Sequence, residues 1–70
     1  MNVNIPALKQ CDNLKWDFQD VYPKATRLFA MSGDVTDEAR ALGQEIINQA
    51  QTIKAEADAI AEAAQLTING

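Results

Sequence analysis

The sequence predicts an all-α fold. It is rich in alanine and holds only two prolines and three glycines. Its apolar residues recur at spacings of three and four, the period of one helical face. From Thr36 to Leu66 no proline occurs, a stretch of roughly 30 residues or about 45 Å of helix. The expected architecture is a helical hairpin. Two short helices, at about 6–20 and 23–32, pack on or join one long alanine-rich helix at about 36–66, in a single domain spanning 1–70.

The first helix has its start signals in "NIPALKQ". Asn4 can accept an N–H as the cap, and Pro6 suits the first turn, where its missing N–H costs nothing. Leu8, Cys11, Leu14 (or Lys15), Phe18 and Val21 then follow helical spacing. Asn13 and the aspartates weaken its intrinsic propensity, so packing must hold it. Pro23 pushes Tyr22 toward extended backbone, which predicts a bend at "VYP". The second short helix then starts at Pro23, with Gly33 at the place of a left-handed C-cap.

The third helix begins in "GDVTDEA". Asp34 or Thr36 is its cap, and Asp37 and Glu38 put negative charge in the first turn, where the macrodipole favours it. Ile46, Ala50, Ile53, Ala57, Ile60 and Ala64 form a coiled-coil-like seam spaced four, three, four, three, four. The alternating look of "KAEADAIAEAAQ" suggests a strand, but alanine and glutamate are strong helix formers and poor strand formers. An isoleucine–alanine seam permits close helix approach and buries little area, so bulk must come from elsewhere. Trp16, Phe18, Tyr22, Leu28 and Phe29 all lie in the first half.

The composition argues against several chemistries. There is no histidine and a single cysteine, Cys11, so neither a Cys–His nucleophile pair nor an intrachain disulfide can form. The three glycines are isolated, which leaves no phosphate loop. The densest acidic cluster, "DVTDE", lacks the alternating ligands and central glycine of a calcium loop, and capping accounts for it. We expect no enzyme activity, no metal and no cofactor. Lys15, Trp16, Tyr22, Lys24 and Arg27 have the residue types of a base-stacking surface, but Asp12, Asp17 and Asp20 interrupt them.

Charge is unevenly placed. Residues 1–35 balance four basic residues with four acidic ones. Residues 36–70 hold two basic and six acidic, so the net charge of −4 belongs to the second half. That disfavours nucleic acid and anionic lipid, which call for clustered Lys and Arg. No apolar run approaches the roughly 20 residues of a membrane span, and "MNVNIPALKQ" lacks the pattern of a secretory signal. The expected location is cytoplasmic, or within an assembled particle.

The expected function is protein–protein interaction or assembly, as a homo-oligomer or a subunit of a larger complex. Its partner-binding residues are Ile46, Ala50, Ile53, Ala57, Ile60 and Ala64, with Trp16 and Tyr22. The alternative is an acidic helical inhibitor of a basic, nucleic-acid-handling protein, acting through Glu56, Asp58 and Glu62.

Overall fold

In a computed structural model of the chain, residues 3–70 are described. Two helices form an antiparallel hairpin: α1 spans Ile5–Phe29 and α2 spans Asp37–Asn69. The all-α hairpin is as expected, but its first arm is one helix of 25 residues rather than two short ones. Pro23 lies inside it.

Helix α1 survives Pro23 because of where that residue points. Its ring stands on the exposed side, so the hydrogen bond it removes is on the outer surface. Val21, Lys24, Ala25 and Leu28 on either side are buried or half-buried. The line of contact with α2 therefore runs straight through the proline. The pre-proline bias toward extended backbone is a preference, and packing on both sides overrides it.

Both predicted start signals operate. The Asn4 side chain accepts from the Ala7 N–H at 3.1 Å, and that of Thr36, rather than Asp34, accepts from Ala39 at 3.1 Å. Helix α1 ends in an α-like C-cap at Ala30, and Gly33 takes φ +93° further on, in the connecting loop. Glycine adopts that left-handed backbone without the steric cost of a Cβ. Helix α2 passes the expected stop at Leu66 and reaches Asn69, where the Gly70 N–H donates to the Leu66 carbonyl at 3.0 Å. The hydroxyl of Thr67 donates to the Ala63 carbonyl at 2.9 Å, a bond inside the helix that holds this residue there.

The buried and half-buried side chains define the seam. On α1 they are Ala7, Gln10, Leu14, Asp17, Val21, Lys24 and Leu28, with Ala25 beside them; on α2 they include Ala39, Leu42, Ile46, Gln49, Ile53, Glu56, Ile60 and Ala63. Each set keeps the three-and-four rhythm of a coiled coil. Among the described residues only Val21, at 8% exposure, and Leu42, at 7%, are buried. No helix among the described residues is long and apolar enough to cross a membrane.

Candidate interaction surface

The three isoleucines of the predicted seam turn toward α1, but its alanines do not. Ile46, Ile53 and Ile60 are half-buried, whereas Ala50, Ala57 and Ala64 are exposed. The positions that complete the inner seam lie three residues after each isoleucine, not four. They are Gln49, Glu56 and Ala63, and the first two are polar. Sequence patterning favours apolar residues for a seam, and so missed them.

Polar groups meet across the hairpin. The Lys24 ammonium donates to Asp20 at 3.2 Å on its own helix and to Glu45 at 3.1 Å on the other. The Gln49 amide donates to Asp20, and Arg27 pairs with Glu38 at 2.8 Å. The hydrogen bond from Lys24, then that from Gln49, holds the Asp20 carboxyl below its usual range, while Glu45 and then Asp20 raise Lys24. Farther along, Glu56 meets Asp17. The Asp17 carboxyl beside it, followed by loss of solvent, raises the Glu56 pKa.

These contacts orient the two broad faces of the hairpin. On α1, Asp20 and Arg27 each precede a residue of the inner apolar line Ala7, Leu14, Val21, Leu28. On α2, Glu38 and Glu45 each precede a residue of the line Ala39, Ile46, Ile53, Ile60. Arg27 pairs with Glu38, and Lys24 bridges Asp20 and Glu45, so these preceding positions share one face. The positions that follow each inner line then share the opposite face.

That opposite face is apolar. From α1 it receives Leu8, Cys11, Lys15, Phe18, Tyr22, Ala25 and Phe29, a second row of helical spacing beside the first. From α2 it receives Arg40, Gly43, Ile47, Ala50, Lys54, Ala57, Ala61, Ala64 and Ile68. Phe29 is 80% exposed and Ile68 78%. The Phe18 and Tyr22 rings lie 5.9 Å apart, in tilted contact. None of the ten carboxylates of the chain occupies either row.

Comparison with protein-family models finds no match to this chain, and comparisons with curated proteins and with solved structures find none either.

The remaining residues singled out in the sequence fall elsewhere. Trp16 is exposed, a third of a turn from Tyr22 and outside the apolar rows, with the Lys15 ammonium 5.3 Å from its ring. Asp58 and Glu62 are exposed, but Glu56 is turned to Asp17, so the three do not form one acidic surface. Among the described residues no three His, Cys, Asp or Glu side chains converge as ligands for a metal ion. At the loop end, Leu28, Met31, Val35 and Ala39 border a shallow concavity of about 330 Å³. Its Glu38 carboxylate is engaged by Arg27.

Proposed function

We propose that the chain is a non-enzymatic assembly or interaction protein that docks through the apolar broad face of its hairpin. One observation carries this reading. Aliphatic and polar residues fill the inner seam, while the three aromatics Phe18, Tyr22 and Phe29, with Ile47 and Ile68, are left in solvent on one side. Contiguous exposed apolar surface of this kind marks an interaction site. Ala50, Ala57, Ala64 and Tyr22 belong to that face. Ile46, Ile53 and Ile60 contribute by holding the hairpin together.

An apolar fluorescent dye tests the reading on dilute chain. Dye binding is expected, and changing Phe18, Tyr22 and Phe29 together to serine should remove it while the far-ultraviolet circular dichroism of two helices persists. Absence of dye binding by the dilute wild-type chain overturns the proposal. The acidic-inhibitor alternative has less support, because Glu56 is occupied by Asp17.

A further inference from the structure

We propose that the occupant of this face is a second copy of the same chain, packed face to face about a twofold axis that runs along the hairpin. The inference rests on the docking reading above and adds the identity of the partner.

The argument begins with register. A Cβ placed on Gly43 would lie 3.7 Å from Leu28, Lys24 reaches Glu45, and Asp17 meets Glu56. In that register Phe29 is level with Gly43, Tyr22 with Ala50 and Phe18 with Lys54. Lys15 is level with Ala57, Leu8 with Ala64 and the small Ala25 with the large Ile47. At most heights, then, a large side chain on one helix stands beside a small one on the other. The face is a ridge along α1 and a groove along α2.

A twofold axis along the hairpin lays α1 of each copy over α2 of the other at the same height. Each ridge then enters a groove, and each pair of residues level within a chain recurs between chains. Surfaces that fit themselves in this way make closed, isologous dimers. The result is a four-helix bundle with both loops at one end.

Charge and area agree with this pairing. The face carries no carboxylate and three cations, Lys15, Lys54 and Arg40, the last paired with Asp37 at 3.6 Å near the loop. In the dimer Lys54 comes over the Phe18 ring of the other copy, an attractive placement for a cation. Lys15 comes beside Asp58 at the rim, which offsets the nearness of Lys54 of the other copy. The molecule measures 54 × 16 × 15 Å, so its broad face is comparable with the roughly 800 Å² per partner of a specific interface.

Sedimentation over a hundredfold concentration range, with dye binding measured alongside, tests the inference. A monomer–dimer equilibrium is expected, with dye binding lost as dimer forms and little change between low and high salt. Ala50→Leu and Ala57→Leu keep a good helix former at exposed positions while filling the groove. Each should raise the dissociation constant about tenfold or more, as overpacking does. Gln44→Ala, off the face, should leave it unchanged. A wild-type chain that stays monomeric yet binds dye overturns the second copy and keeps the docking face. A monomer that ignores dye overturns both. Open-ended growth, or a dimer indifferent to both leucine variants, also overturns the twofold packing.

Discussion

The carboxyl groups of Asp17 and Glu56 meet across the hairpin seam, and the contact raises the Glu56 pKa. A carboxyl that faces another acid keeps its proton to higher pH, because the two would repel once both were charged. One Glu56 oxygen, Oε1, has no hydrogen-bond partner and almost no solvent contact. This part of the inner seam is held more weakly at neutral pH than in mild acid.

Glu56→Gln should therefore raise the melting temperature at pH 7. The folded pKa of Glu56 lies above its unfolded value, so its contribution is fully present below the unfolded pKa and fades as pH rises through the folded one. That fading begins above the ordinary glutamate value of about 4.3. The glutamine amide can donate to Asp17 at any pH. Thermal melts at pH 4 and pH 7 should show a larger gain at pH 7; an equal change at both would mean that Glu56 keeps its ordinary pKa in the hairpin.

Asp20 carries the opposite sign. Its folded pKa is lowered, chiefly by Lys24, so its contribution is present above the ordinary aspartate value of about 3.9 and lost as pH falls through the folded one. Asp20→Asn should lower the melting temperature slightly at pH 7 and leave it unaltered at pH 2. The effect should shrink in 1 M salt, because the pair is exposed and screened.

Much of this fold could be read in the residues, and the exceptions have physical causes. Asn4 and Thr36 act where capping chemistry placed them, because a cap is a local event. Pro23 was misread because the rule for the residue before proline is also local, whereas contacts on both sides of it, from Val21 and Leu28, decide the outcome. The seam was half legible. Its isoleucines stood out, but Ala50 and Gln49 compete for the same turn of helix. Only Asp20 of α1, which accepts from the Gln49 amide, makes the polar choice favourable.

Pro23→Ala should stabilise the hairpin by about 2 kcal/mol. A proline in a helix interior costs about 3 kcal/mol against alanine. Part of that is offset because proline also restricts the unfolded chain. Alanine restores the N–H that can donate to the Gln19 carbonyl. Urea unfolding of dilute chain measures the gain. A loss of stability would show instead that the proline shapes α1 to fit α2.

Leu42 and Phe29 separate folding from docking. Leu42 is buried in the seam at 7% exposure, whereas Phe29 stands in solvent at 80%. Leu42→Ala should cost about 2–3 kcal/mol of folding stability, the lower part of the range for buried leucines, because so shallow a seam can relax. Phe29→Ala should change the stability of dilute chain by no more than about 0.5 kcal/mol, as exposed substitutions do. At high concentration the ordering should narrow, since removing a ring that fills the Gly43 groove of another copy weakens association and with it the stability that association supplies. Urea melts of both variants at two concentrations a hundredfold apart measure this. If Phe29→Ala proved as costly in dilute solution as Leu42→Ala, the ring would belong to the folding of the single chain, and the apolar face would lose its largest free anchor.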